Sequence, residues 1–203
     1  MKHSKELIHE LKHHAPFTAM ATVFAVLAVV IIKFILNTTI EKHGFHILHP
    51  IHVIASSLTS SGIYYKYKKS IIQALLIGIF AAILIGSISD IIFPYLGASA
   101  FNIHLDFHLP IIKKPFTILS SAFIGSIIGI IIKATKIPHF MHVGISVFAS
   151  LFYILAFSKL ITFSIFIIAI VIVFFSVLIP CCISDILIPF FFIGKDIKQC
   201  DCP

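Results

Sequence analysis

Apolar runs separated by short polar stretches follow one another along most of this chain. Six of them are long enough to cross a ~30 Å hydrocarbon core as helices, and they cover about residues 16–36, 46–65, 70–94, 115–132, 139–157 and the segment from 160 onward. The last run continues for more than thirty residues, and Pro180 and Pro189 interrupt it, which favours a sixth span followed by a short broken or re-entrant piece. The pattern predicts an all-α, polytopic transmembrane helix bundle.

The composition supports a membrane protein. Apolar residues make up 59% of the 203 residues and charged residues only 11%, with a mean hydropathy of +1.10. Soluble globular domains contain about 45–50% apolar and about 25% charged residues. The composition therefore excludes a soluble domain, a disordered chain and a secreted disulfide scaffold. Residues 1–14 are mostly polar, and the run after them is too long for a signal-peptide core, so we expect an uncleaved first span.

The basic residues indicate how the chain crosses the membrane. All 15 are lysines, and they stand between the apolar runs rather than along one polar face, so we expect no nucleic-acid partner. With six spans, both termini and the loops 66–69 and 133–136 lie on one side of the membrane. That side carries ten lysines, and the opposite side carries five. Because positive charge is retained inside, we expect a multi-pass protein of the cell membrane with both termini cytoplasmic.

Three short motifs occur twice, in the same order. They are PFT at 16–18 and 115–117, HPIHV and HFMHV at 49–53 and 139–143, and ISDI followed by proline at 88–94 and 183–189. At the offset of the histidine motif, Ser56 matches Ser146 and Ser60 matches Ser150. Ordered recurrence of motifs built on residues that are rare in membranes predicts an internal duplication.

The duplication sets the expected organisation of the chain. It comprises a cytoplasmic N-terminal segment (1–14), a first transmembrane repeat (15–97), an external loop (98–112), a second transmembrane repeat (113–195) and a cytoplasmic tail (196–203). Each repeat holds three spans, an odd number, so the second copy enters the membrane from the opposite side. Two inverted three-helix repeats, with helices broken at the ISDI and proline motifs, are typical of secondary transporters.

Asp90 and Asp185 are the only acidic residues inside apolar runs, and they occupy equivalent positions. Ionisable residues in a span are costly and are candidates for function by default. The two histidines of an HxxH motif lie on one helix face, where a carboxylate from the next span completes a ligand set for one divalent ion. Within each repeat, the HxxH motif begins the second span and the aspartate ends the third, so both lie on the same side of the membrane.

The sequence therefore predicts two metal half-sites, one of His49, His52 and Asp90 and one of His139, His142 and Asp185. Imidazole with carboxylate suits divalent Zn, Mn, Fe, Co or Ni. Two simpler interpretations stay open: an aspartate that caps a broken helix, and histidines that form polar contacts between helices. Strict inversion puts the half-sites near opposite membrane faces, roughly 20 Å apart, unless their helices begin deep in the bilayer.

Further polar residues surround these candidates. Cys181 and Cys182 stand where the first repeat has a glycine and a serine. A thiolate there would shift the metal preference of the second half-site toward Zn²⁺ or Cu⁺. Alternatively, a buried thiol is a small apolar side chain that fills space. Ser89 and Ser184 precede the aspartates as accessory residues. A peripheral set for metal capture, or alternatively of solvated loop residues, comprises His43, His46, His104, Asp106 and His108.

Several segments resemble parts of small prokaryotic polytopic membrane proteins. The resemblance rests on the PFT motif and on HPIHV, PHFMHV and IPCCISDILIP, and it spans most of the chain. It implies a membrane location and no particular activity or ligand, so the functional prediction depends on the residues themselves.

Together these patterns predict an integral membrane transporter of a divalent transition-metal cation, with proton coupling as an option, and not an enzyme. The metal is substrate or ligand, the bilayer and the ion are the expected partners, and a homodimer is left open. An intramembrane metal-dependent hydrolase is the alternative, because zinc-activated water cleaves lipids and peptides. A bis-histidine haem carrier and a non-catalytic assembly or sensor protein are further alternatives.

Overall fold

The computed structural model describes the backbone of residues 2–35, 41–133, 136–158, 163–182 and 192, and the side chains of 15–33, 41–133, 141–158, 164–180 and 192. Regular structure within these ranges is helical, and the only β-type pairing there is an isolated bridge between Leu105 and Ser158. The all-α class predicted from the apolar runs is confirmed for this part of the chain.

The helices overlap the six predicted apolar runs but do not share their bounds. They are α1 (Lys2–Val30), α2 (Lys42–Lys68), α3 (Ile71–Ser87), α4 (Phe93–Ala100), α5 (Pro110–Lys113), α6 (Pro115–Ile132), α7 (Lys136–Phe157) and α8 (Phe163–Cys182). A π-helical segment, Ile31–Ile35, continues α1, and a second, Ile88–Ile92, joins α3 to α4 without an intervening loop. The chain is therefore helical through the first ISDI motif, where a broken helix end was expected.

The two PFT motifs occupy different positions in their helices. Pro115 opens α6, where the missing N–H of proline costs little. Pro16 lies inside α1, because the polar segment before it is helical as well. An interior proline removes one backbone hydrogen bond, a loss that membrane helices tolerate.

Helix α2 lies at the centre of the bundle, packed against α3, α6 and α7. Its contact with α6 is close: a Cβ atom placed on Gly125 would overlap the carbonyl oxygen of Ile54 and the Oγ of Ser57, and one on Gly129 would overlap the carbonyl oxygen of Leu58. Small residues that let two backbones approach are characteristic of helix packing in membranes.

Among the described residues, three helices are long and apolar enough to cross a membrane: Ala15–Lys33, Ile71–Ala100 and Pro115–Ile132. Met141–Phe157 and Ser164–Pro180 are shorter apolar helices. Large apolar side chains point outward from these segments; Phe116 is 84% exposed and Ile72 is 73% exposed. These outer surfaces suit contact with lipid, as expected for a membrane protein.

The interior divides into an apolar part and a polar part. The largest apolar cluster lies among α1, α7 and α8, with Val29, Leu151 and Val173 at its centre. The polar part follows α2, whose buried residues include His49, His52, Ser56, Ser57, Thr59, Ser60 and Ser61. A polar helix enclosed by apolar helices is where a membrane protein keeps its functional groups.

Candidate metal centre

His49, His52 and Asp90 meet in the polar interior. The Nδ1 atoms of His49 and His52 lie 2.8 and 2.7 Å from the same carboxylate oxygen, Oδ2 of Asp90. All three side chains are at most 1% exposed. The structure thus brings together the first ligand set predicted from the HxxH motif and the intramembrane aspartate.

Local helix geometry positions the three side chains. His49 and His52 are three residues apart on α2 and share one face. Asp90 lies in the π-helical segment, where the N–H of Phe93 donates to the carbonyl oxygen of Ile88, five residues back. Pro94 has no N–H to donate to the carbonyl of Asp90, and π-helical turns of this kind occur frequently at functional sites.

Gly86 of α3 lies beside the two imidazole rings. A Cβ atom on Gly86 would lie 3.6 Å from Cε1 of His49 and 3.9 Å from Nδ1 of His52, which is ordinary van der Waals contact. This part of α3 therefore borders the site directly.

The second carboxylate oxygen of Asp90 is held by hydroxyl groups. Ser89 donates to Oδ1 at 2.9 Å and Ser146 donates to the same atom at 2.7 Å. Ser150 donates to the carbonyl oxygen of Ser89 at 3.0 Å, which fixes the π-helical segment against α7. Ser146 and Ser150 lie on α7, so the site combines side chains of α2, the π-helical segment and α7.

His142 brings the second HxxH motif to the same place. Its ring stacks on that of His52, with centroids 5.8 Å apart and planes inclined by 5°, and it is fully buried. The separation of roughly 20 Å expected from strict inversion is not observed for this pair. The helices begin early enough to carry both residues inward: His52 lies ten residues after the start of α2, about 15 Å along its axis.

The group has the chemistry of a transition-metal site. The three ligand atoms of His49, His52 and Asp90 all lie within 4.8 Å of one another, and no other described residues form such a group. Imidazole nitrogen and carboxylate oxygen bind Zn²⁺ and related ions at about 2.0–2.2 Å. An ion between them would replace the two Nδ1 protons that now join the rings to the carboxylate, so binding would release protons.

The second predicted half-site cannot be placed. The side chains of His139, Cys181 and Cys182 lie outside the described residues, as do Ser184 and Asp185 entirely. Whether these residues form a second ligand set stays a prediction.

An aromatic wall separates the centre from the loop between α4 and α5. Phe45 is fully buried and stacks on His49, with ring centroids 5.4 Å apart, and it also contacts Tyr153 and Phe157. Beyond Phe45, the rings of His46 and His108 are 5.0 Å apart. The wall therefore closes the site toward this end of the bundle.

The peripheral residues are only partly gathered there. Asp106 forms an ion pair with Lys42, with Nζ and Oδ2 3.7 Å apart, while His43 and His104 are exposed. Burial, together with the positive charges of Lys113 and Lys114, lowers the pKa of His108. Positive charge next to the histidines opposes cation capture, and the role predicted for this set stays a prediction.

Sequence reasoning predicted the grouping of His49, His52 and Asp90 but missed some of their surroundings. Ser146 and Ser150 were visible only as matches in the repeat, and nothing in the pattern indicated that they bond to Asp90 and Ser89. The aromatic contact of Phe45 with His49 gave no sequence signal, because it depends on the loop and α7 folding over α2.

Comparison of the chain with protein-family models, with curated proteins and with solved structures finds no match.

Proposed function

We propose that this protein transports a divalent transition-metal cation across a cell membrane. The observation that carries the proposal is the buried group of His49, His52 and Asp90, placed where helices of the two sequence repeats meet. Charged groups in a membrane interior are costly and are kept where they bind or move ions.

The ligand chemistry supports exchange of metal for protons. Each imidazole is linked to Asp90 through a hydrogen bond of 2.7–2.8 Å. A metal ion requires deprotonated ligands, so its arrival releases protons and its departure takes them up. Proton coupling follows from this exchange, with the metal as the cargo rather than a resident cofactor.

The helix contacts support an inverted-repeat architecture with six spans. Exchange of the two repeats maps α1 onto α6, α2 onto α7 and α3 onto α8. Under this exchange, the α2–α6, α2–α3 and α3–α6 contacts correspond to the α7–α1, α7–α8 and α8–α1 contacts, in that order. All six contacts are present. In transporters built this way, one repeat rocks against the other around a site at their interface. With six spans, both termini of this chain lie on the cytoplasmic side.

The hydrolase alternative has less support. A metal-dependent hydrolase needs a general base and an open position for water on its metal. Each oxygen of Asp90 already contacts two hydrogen-bonding groups, the imidazoles at Oδ2 and the hydroxyls at Oδ1. The carboxylate is fully engaged in holding the site and is not a free base.

The test is metal uptake into proteoliposomes. Purified protein is reconstituted with an internal metal-sensitive dye and an internal pH indicator, and Zn²⁺, Mn²⁺ and Co²⁺ are added outside in separate runs. The wild type is expected to take up at least one of these ions with an opposite proton movement, and the His49→Ala/His52→Ala variant is expected to take up none. A His43→Ala/His104→Ala variant, which removes two exposed histidines, is the matched control. Absence of uptake by the wild type would reject transport of these ions.

A further inference from the structure

Three polar groups on one face of α2 have no hydrogen-bond partner in the part of the chain that the structure describes. They are Nε2 of His52, Oγ of Ser56 and Oγ of Ser60, each on a residue that is 0% exposed. The residues are four apart, so they follow one another along the helix surface. Buried polar groups are nearly always satisfied by protein or water, so a row of three indicates a missing occupant.

Other hydroxyl groups of the same helix are satisfied. Ser57 donates to the carbonyl oxygen of Ile54 and Thr59 to that of Ala55, both at 3.0 Å. Ser61 donates across the helix contact to the carbonyl oxygen of Ser126 at 3.0 Å. Within α2, the lack of partners is therefore confined to one row and is not general to its serines.

The duplication provides a second contrast. Ser146 and Ser150, the equivalents of Ser56 and Ser60 in the second repeat, bond to Asp90 and to the backbone of Ser89. The equivalent pair in α7 thus holds the site together, whereas the pair in α2 has no such structural task.

The row leads from the metal centre to the surface. The next residue at the same spacing is Tyr64, whose hydroxyl donates to Oε1 of Gln73 at 2.8 Å, and Gln73 is exposed. From His52 to Tyr64 is twelve residues, about 18 Å along the helix axis. At the other end of the site, the ring of Phe45 stacks on His49 and lies between the centre and the loop that joins α4 to α5. The row on α2 is thus the polar route out of the centre.

We propose that His52, Ser56 and Ser60 line a narrow hydrated passage that connects the metal centre with the end of the bundle at Tyr64 and Gln73. Water in this passage satisfies the three groups, since buried water bridges polar atoms of this kind. In a transporter, which is the function proposed above, the divalent cation leaves or reaches the centre along it. The hydrogen bond between Tyr64 and Gln73 closes its outer end.

Thiol accessibility tests the passage without any metal. In full-length protein with its four native cysteines replaced by serine, Ser56→Cys and Ser60→Cys are labelled in proteoliposomes with a charged, membrane-impermeant methanethiosulfonate. We expect both to react about tenfold or more faster than Thr59→Cys, because a thiol in dry apolar surroundings is inert. Thr59 is the matched control, since it is equally buried on the same helix but already bonded.

Equal, slow labelling of all three variants would overturn the passage. Size-exclusion profiles identify a variant that fails to fold, and either of the two test positions is sufficient, because they lie one turn apart. A second measurement uses Ser56→Ala/Ser60→Ala, which is expected to keep the metal content of the wild type but to lose most uptake. Fast labelling in a protein that takes up no metal would retain the passage and reject only the transport function; unchanged uptake in the double variant would reject its role in cation movement.

Discussion

The α2–α6 contact and the α1–α7 contact are built in different ways. In the α2–α6 contact, Ser57 of α2 lies against Gly125 of α6, so closely that no side chain fits at the glycine. The predicted duplication makes Val147 of α7 and Val26 of α1 the equivalents of these two residues, and both valines are buried in the large apolar cluster. One contact is therefore polar, small and backbone to backbone, and the other is filled by apolar side chains.

The difference bears on how each contact tolerates an added side chain. In the α2–α6 contact the two backbones approach directly, so an added side chain has no space. Apolar side chains fill the α1–α7 contact, and such packing rearranges around a change in volume more readily than two backbones in contact. The polar residues His49 and His52 lie on α2, the helix with the closer contact.

The largest effect is expected from filling the close contact. Gly125→Val would drive a side chain into the carbonyl of Ile54, and we expect it to destabilise the protein by about 3 kcal/mol or more. Val26→Leu at the equivalent position adds bulk among movable side chains and is expected to cost about 1 kcal/mol. Thermal unfolding in detergent, followed by circular dichroism, gives both values. Equal losses for the two variants would contradict the contrast between the contacts.

Removal of the carboxylate charge is the next strongest change. Asp90→Asn keeps the size of the side chain but loses an anionic ligand and one acceptor for the imidazoles, so we expect metal affinity to fall roughly 100-fold or more. Isothermal titration with Zn²⁺ measures this loss. Asp106→Asn, which removes an exposed carboxylate paired with Lys42, is the control and is expected to bind like the wild type.

The equivalent serines of the two repeats should behave differently. Ser146→Ala removes a hydrogen bond to Asp90, so we expect metal affinity to fall about tenfold, as it does when groups that orient metal ligands are lost. Ser56→Ala removes a hydroxyl that bonds to no ligand and is expected to leave affinity unchanged. Titration of the two variants side by side decides the point, and an equal fall in both would show that the serines have the same role.

The smallest expected effect concerns His108. Its pKa in the folded protein is below 6.5, lowered by burial and by nearby lysines. The unfolded chain therefore binds more protons as the pH falls below about 6.5, and the stability of the fold decreases in that range. Melting temperatures between pH 7.5 and pH 5 should fall less steeply in His108→Gln than in the wild type; identical slopes would contradict the effect of burial.

The helices and the first ligand set were predictable because strong local signals specify them. Apolar runs of membrane-spanning length located the helices, and Asp90 was one of only two acidic residues inside such runs. The spacing of His49 and His52 then placed two imidazoles on one face. These features depend on helix periodicity and on the cost of burying charge. Both are visible in the sequence, as the spacing of residues and as charged residues within apolar runs.

The remaining features depend on contacts between distant segments. The stacking of His142 on His52 follows from how far α2 and α7 extend into the bundle, which the apolar pattern underestimated for α2. A π-helical segment is found where a break was expected near Pro94. Pro94 cannot donate a backbone hydrogen bond, and the wider π-helical turn lets the helix continue without it. The bond from Ser146 to Asp90 requires the packing of α7 on that segment, which no local pattern encodes.

Metal binding at the centre tests the account most directly. Purified wild type, His49→Ala/His52→Ala and His43→Ala/His104→Ala are loaded with Co²⁺ and dialysed, and bound metal is quantified by mass spectrometry and by d–d absorption. We expect one tightly bound ion in the wild type and in the exposed-histidine variant, with nitrogen and oxygen ligation, and none in the His49→Ala/His52→Ala variant. The same metal content and spectrum in all three proteins would contradict it.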